Sequence, residues 1–252
     1  MTIDSAAVAG ALARLRERRP RVHCITNSAA VNFTANVLLS AGAIPSMTVN
    51  PEELPDFVAS ADALLVNLGT LDPLRREAID VAVGVAGAAG TPWALDPVFV
   101  ERSRPRLALA RQLLARGPTV IRGNRPELDG LTGAGGDDAA ADALARSSRA
   151  TVVRTGEVDY VTDGARAVRI AGGHPLMASI TAAGCAATAL LAGFLAVEDD
   201  PVTAASACLG FVAAAAERAG AQAAGPGSFV PAFLDALHAL TPEEAGAQAR
   251  IS

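Results

Sequence analysis

The chain has 252 residues, is 51% hydrophobic and carries a formal net charge of -5; that is long enough for one large domain, and its scattered arginines argue against a nucleic-acid surface built on clustered cations. Lysine is absent, so any catalytic cation has to be an arginine, a metal ion or a backbone dipole. Three cysteines, Cys24, Cys185 and Cys208, leave one unpaired in any disulfide scheme and sit in apolar surroundings unlike those of a secreted disulfide scaffold, which fits a reducing cytoplasm.

In chain order, Asp4 precedes a helical stretch with Arg14, Arg16 and Arg18 that lacks the apolar core of a signal peptide, so no export is expected. Short β-type runs follow at 21–26, 43–48, 63–67, 93–96, 119–122 and 151–155, separated by amphipathic or alanine-rich stretches of helical length. That alternation predicts an α/β fold, a mostly parallel sheet with helices on both faces. Beyond Thr155 the runs 158–162 and 167–170 flank Asp163-Gly164 and predict a β-hairpin. The uncharged run 174–197 approaches the length of a membrane span, but Pro175, Thr181 and Thr188 and its small residues suit a helix buried in a globular core. Two long apolar helices are expected at 184–196 and 203–223. The segment Gly225-Pro226-Gly227-Ser228-Phe229 then breaks the pattern before a last helix to Leu240. We expect a single domain over 1–240 and a frayed tail over 241–252.

Ligands in an open α/β sheet collect beyond the carboxyl ends of the strands. The predicted strands end in Thr26-Asn27-Ser28, Ser46-Met47-Thr48, Asp96-Pro97, Arg122-Gly123-Asn124 followed by Glu127, and Arg154-Thr155-Gly156. Singly, Asn27 or Ser28 reads as a helix cap, Asp96 as a turn residue and Glu127 as a first-turn acid. Jointly, Asp96 and Glu127 are hard oxygen ligands of the kind Mg²⁺ takes while keeping waters for substrate phosphates. Arg122 would fork onto a phosphate and Thr155 would hydrogen-bond one. No Gly-x-x-x-x-Gly-Lys-Ser/Thr run is present, which excludes a P-loop. Instead, the small-residue turn Ala182-Ala183-Gly184 opens a helix with Cys185 in its first turn, an arrangement that suits an anion and is expected to favour the thiolate.

The chain resembles the hydroxyethylthiazole kinases, thiamine-salvage members of the ribokinase-like superfamily. The residues that carry the resemblance run in order from about Val22 to Leu240: Cys24-Ile25-Thr26-Asn27, Asn32 with Ala35-Asn36, Gly42-Ala43-Ile44-Pro45-Ser46-Met47, Asn50-Pro51-Glu52-Glu53, Leu95-Asp96-Pro97-Val98, Ile121-Arg122-Gly123-Asn124, Thr155-Gly156, Asp163-Gly164, Gly184-Cys185 and Gly225-Pro226-Gly227-Ser228-Phe229. The resemblance implies a three-layer ribokinase-like fold and ATP- and Mg²⁺-dependent phosphorylation of the hydroxyethyl group of 4-methyl-5-(2-hydroxyethyl)thiazole. It implies that Met47 and Gly184 line the thiazole pocket with Asn27 as a further contact, that Arg122 and Thr155 bind ATP, and that Asp96 and Glu127 serve Mg²⁺. It also implies a homotrimer with sites near subunit boundaries. Most ribokinase-like enzymes carry Asp as general base where Cys185 stands, whereas the thiazole kinases carry Cys; Cys185 is therefore read as the group that orients the alcohol, either as its base or by positioning alone, with the proton going directly to phosphate.

One departure is Ala182, where many members of the family have Gly. If that position needs a left-handed backbone, its Cβ costs about 1 kcal/mol and distorts the anion hole. Two other readings stand beside the thiazole kinase. One is a different ribokinase-like enzyme, a hydroxymethylpyrimidine or pyridoxal-type kinase or a nucleotide-dependent dehydratase, for which Asp is expected at position 185. The other is a non-catalytic thiazole-binding protein, against which Asp96, Glu127 and Arg122 argue.

Overall fold

The computed structural model describes residues 3–252. In chain order the elements are α1 (Ser5–Arg18), β1 (Arg21–Ile25), α2 (Val31–Ala41), β2 (Ile44–Ser46), α3 (Leu54–Ala59), β3 (Ala63–Asn67), α4 (Pro73–Ala89), β4 (Trp93–Asp96), α5 (Arg104–Leu114), β5 (Val120–Asn124), α6 (Arg125–Thr132), α7 (Asp138–Ser148) and β6 (Thr151–Thr155). They continue with β7 (Val158–Thr162), β8 (Ala167–Ala171), α8 (Ala183–Leu195), α9 (Pro201–Gly220), α10 (Pro226–Ala239), α11 (Pro242–Gln248) and β9 (Arg250–Ile251).

The strands form one sheet in the order β2-β1-β3-β4-β5-β6-β7-β8-β9. Neighbours from β2 through β6 pair parallel and those from β6 through β9 antiparallel. Helices cover both faces, as the alternation predicts. Successive side chains of a strand point to opposite faces. In β3, accordingly, Ala63 and Leu65 join the core under α1, α2, α8, α9 and α10, while Leu64 and Val66 join the core under α3 to α7. A strand buried on both faces has no polar face, which is why β3 reads Ala-Leu-Leu-Val-Asn with only its last residue polar.

The chain leaves β1 for the edge strand β2 and returns to β3 on the other side of β1. This reversal opens a crevice at the carboxyl end of the parallel strands. The segment 174–197 is a short turn, Pro175–Ser179, followed by the thirteen-residue α8, whose residues from Ala186 to Leu195 are all buried. Helix α9 alone among the described helices is long and apolar enough to cross a membrane, and 83% of that stretch is buried within the fold.

Two expectations need correction. Residues 225–229 do not precede the last long helix but open it: Pro226 is its first residue, where a missing N–H costs nothing. The tail, expected to fray, is ordered. Thr241 and Glu244 form a reciprocal capping box that starts α11, Ala245 is fully buried, and β9 pairs Ile251 with Ile170 at the sheet edge. The signal for this helix, Thr-x-x-Glu, is legible in the sequence.

Candidate active site

The carboxyl ends of the parallel strands and the start of α8 enclose a cavity of about 710 Å³. Asn27, Asp96, Arg122, Glu127, Thr155, Gly184 and Cys185 all line it, so the fold brings seven of the eight sequence-predicted site residues together. Met47 is the exception. It lies just beyond β2, half-buried against the core and outside this cavity.

The acidic end is built by β4, β5 and α6. Asp96 ends the apolar strand β4 and is 4% exposed. Burial, assisted by the neighbouring charge of Glu127 and opposed by Arg122, pushes its carboxyl up to about 7. Glu127 is the third residue of α6, and its role as a first-turn acid is real: it forms a capping box with Asn124. Its two oxygens accept from the backbone N–H groups of Asn124 at 2.9 Å and Phe99 at 3.1 Å. Burial raises this carboxyl as well. Two desolvated acids that repel one another are stabilised by a cation placed between them. Among the described residues no three His, Cys, Asp or Glu side chains group as a metal site, so this pair suits an ion that arrives with waters and phosphates rather than one caged by protein.

Arg122 projects from β5 across to α8, donating to the Gly184 carbonyl at 3.1 Å and to Thr188 Oγ1 at 3.3 Å; its Nε is buried without a partner. It also forms part of the wall of a second cavity of about 750 Å³ between the β7–β8 hairpin and α9, reaching Asp159, Gly172 and Leu209. The two cavities share Arg122, Met177, Ala178, Ala183 and Gly184.

The first turn of helix α8 turns backbone donors toward the cavity. Its first internal bond joins the Ala186 N–H to the Ala182 carbonyl, so the N–H groups of Ala183, Gly184 and Cys185 precede the helical ladder and are free for a ligand. Ala182 has φ 68° and ψ 8°. The position does need the left-handed backbone, and alanine adopts it, so the turn keeps its shape and carries the strain as conformational energy.

Cys185 differs from its sequence-based expectation. Its place in the first turn of α8 favours a thiolate, yet burial and the nearby Asp96 charge outweigh this and push the thiol up to about 11. The side chain therefore stands as a neutral thiol at ordinary pH, with Sγ accepting from Asn27 Nδ2 at 3.2 Å. Cys24 and Cys208 are fully buried and free and pack in the core as small hydrophobic side chains.

Sequence reasoning missed Asn67 and Thr188 as site residues. Asn67, 1% exposed at the end of β3, donates to Asp96 Oδ2 at 2.7 Å and accepts from Asn27 Nδ2 at 3.1 Å. Thr188 Oγ1 donates to Asp96 Oδ2 at 3.2 Å. A polar residue closing an otherwise apolar, two-face-buried strand is the signal that would have found Asn67. Arg106, also on the cavity wall, donates to the Val98 carbonyl at 3.0 Å and so steadies the turn that carries Phe99.

The hydroxyethylthiazole kinase family matches residues 12–243. The chain belongs to this family. It is 48% identical to the hydroxyethylthiazole kinase of Cereibacter sphaeroides strain ATCC 17029 over 94% of this chain and 95% of the relative. The hydroxyethylthiazole kinase structure from Pyrococcus horikoshii OT3 superposes with a TM-score of 0.93 at 38% identity, covering 97% of this chain and 98% of that one. A ribokinase-like superfamily protein from Enterococcus faecalis V583 shares the fold at a TM-score of 0.69 and 14% identity, over 93% of this chain and 94% of that one. The protein is accordingly a phosphotransferase with an alcohol acceptor, phosphorylating the hydroxyethyl group of the thiazole in thiamine salvage.

Proposed function

We propose that the γ-phosphoryl group of ATP passes to the primary hydroxyl of 4-methyl-5-(2-hydroxyethyl)thiazole in the cavity at the start of α8, with Asp96 and Glu127 holding Mg²⁺. The observation that carries this reading is the convergence, on one cavity, of free helix N–H groups, Arg122, two buried acids and a neutral thiol. When bound there with the nucleotide, the ion supplies charge neutralisation between the phosphates. The residues do the rest by positioning. The N–H groups of the first turn of α8 face the charge that builds on the transferred group. Arg122 and Thr155 hold phosphate oxygens, and Asn27 and Gly184 contact the thiazole alcohol beside Cys185.

A thiol held near 11 is a poor resting base, so Cys185 orients the alcohol. The alcohol oxygen forms its bond to γ-phosphorus as the bond to the bridging oxygen of ADP breaks. In a loose transition state the alcohol proton leaves late, to a phosphoryl oxygen or solvent, and no strong base is required.

The exposed Ile44 on edge strand β2, with Met47 beyond it and outside the single-chain cavity, supports a homotrimer in which a neighbouring subunit completes the thiazole pocket. The three free cysteines support a cytoplasmic setting. The deciding experiment measures ADP release with ATP and Mg²⁺ against the thiazole alcohol, a hydroxymethylpyrimidine, pyridoxal and no acceptor, with the product identified by mass. Thiazole-dependent ADP with the matching phosphate ester is expected. Turnover only on another acceptor would reject the substrate assignment, and thiazole binding without turnover would reject catalysis. Light scattering on the same sample reads the trimer.

A further inference from the structure

The hydrogen bonds behind the cavity close into a ring. Asn27 Nδ2 spends one hydrogen on Cys185 Sγ and the other on Asn67 Oδ1; Asn67 Nδ2 donates to Asp96 Oδ2. Thr188 Oγ1 lies against the same carboxylate oxygen and 3.0 Å from the carbonyl of Gly184, the residue bonded to Cys185. The ends of β1, β3 and β4 are thereby tied to the first turn of α8.

Asn67 and Thr188 are the members of this ring that do not line the cavity, 1% and 0% exposed, and Asn67 is the one whose amide joins Asn27 to Asp96. Its amide has one workable orientation. Oδ1 receives two donors, Asn27 Nδ2 and the Gly69 N–H at 3.0 Å, and Nδ2 meets a carboxylate. Reversing the amide would set N–H against N–H and oxygen against oxygen. The surrounding space is equally committed, because a Cβ on Gly69 would stand 2.6 Å from Asn27 Cβ and 3.0 Å from Asn67 Oδ1.

We propose that Asn67 is a positioning residue for phosphoryl transfer: through its two amide ends it sets Asn27 against the Cys185 thiol and aims Asp96 into the same cavity. The alcohol end and the acidic end of the site are then held in mutual register by one buried side chain. This rests on the phosphotransfer reading above, where misplacement of reacting groups by fractions of an ångström is costly.

The test is steady-state kinetics of the full-length protein with the thiazole alcohol and MgATP, comparing the native chain with Asn67→Ala, Asn27→Ala and the double variant, each with its melting temperature. Asn67→Ala is expected to lower kcat on the order of 10- to 100-fold while the KM for the thiazole moves less than about threefold. Because Asn67 acts on the alcohol end of the site by placing Asn27, the losses of the two single variants should not multiply in the double variant. Turnover of Asn67→Ala close to the native chain with only the melting temperature lowered would overturn the proposal, as would losses that multiply in the double variant. Should Asn67→Ala not fold, Asn67→Ser faces the same comparison with the same expected loss, its hydroxyl being too short to reach both partners. Absence of thiazole turnover by the native chain would instead overturn the phosphotransfer reading and this role with it.

Discussion

At the residue scale, the thiol defines the chemistry by what it does not do. With Cys185 held near 11, against an ordinary value of 9.0, its alkylation by iodoacetamide at pH 8 should be about 100-fold slower than that of a free thiol. The rate should climb with pH toward 11, and Cys24 and Cys208 will not interfere, being fully buried. Cys185→Ala should lower kcat about tenfold and leave nucleotide binding intact, as expected for an orienting group; stopped-rate assays and ATP titration check the two halves separately. The place of Cys185 in the first turn of α8 was legible from the small residues before it. Its protonation state was not, because the opposing influences, burial and the Asp96 charge, come from β4, which is distant in the chain. Asn67 escaped notice for a related reason: strand β3 ends where its polarity begins, and only tertiary pairing reveals that the last residue bridges two others.

At the element scale, the start of α8 combines unbonded backbone N–H groups with a strained turn. Among the described residues, Ala182 is one of five non-glycine residues with positive φ, the others being Arg19, Thr70, Phe99 and Arg149. Ala182→Gly should relieve the left-handed penalty at the expense of a more flexible unfolded chain, for a net gain of about 0.5–1 kcal/mol at most. Since alanine already holds the turn's shape, kcat should stay within about twofold; chemical denaturation and turnover of the same variant decide both points. The strands were legible because runs buried on both faces are apolar throughout, and the helices because polar and apolar residues recur with their own period. Boundaries were less legible. Pro226 looks like a breaker in a string of residues but begins α10, and the tail helix α11 has too few apolar residues to announce itself except through its capping box.

At the scale of the whole molecule, the buried acids link the site to stability. An aspartate held near 7 in the fold, against 3.8 in the free chain, keeps a proton between those values that the unfolded chain has released. Stability therefore falls as pH rises from about 4 to 7, with Glu127 adding in the same direction. Urea midpoints across that range should show the decline, and MgATP should offset it near pH 7 by binding the ionised pair. Removing 241–252 should cost about 2 kcal/mol or more, because Ala245 is buried and Gly246 sits so close to the Ser5 carbonyl that a Cβ would clash with it; urea denaturation of the truncated chain measures this. The wall that Arg122, Met177, Ala178, Ala183 and Gly184 place between two cavities carries a kinetic consequence. A partition pressed by a ligand on one side presents a different face on the other; with transfer proposed in the first cavity, a nucleotide extending past Arg122 into the second should alter the apparent Michaelis constant of the thiazole. Initial-rate lines at varied ATP and thiazole would then cross away from the horizontal axis, and lines that meet on it would mean that the two compartments fill independently.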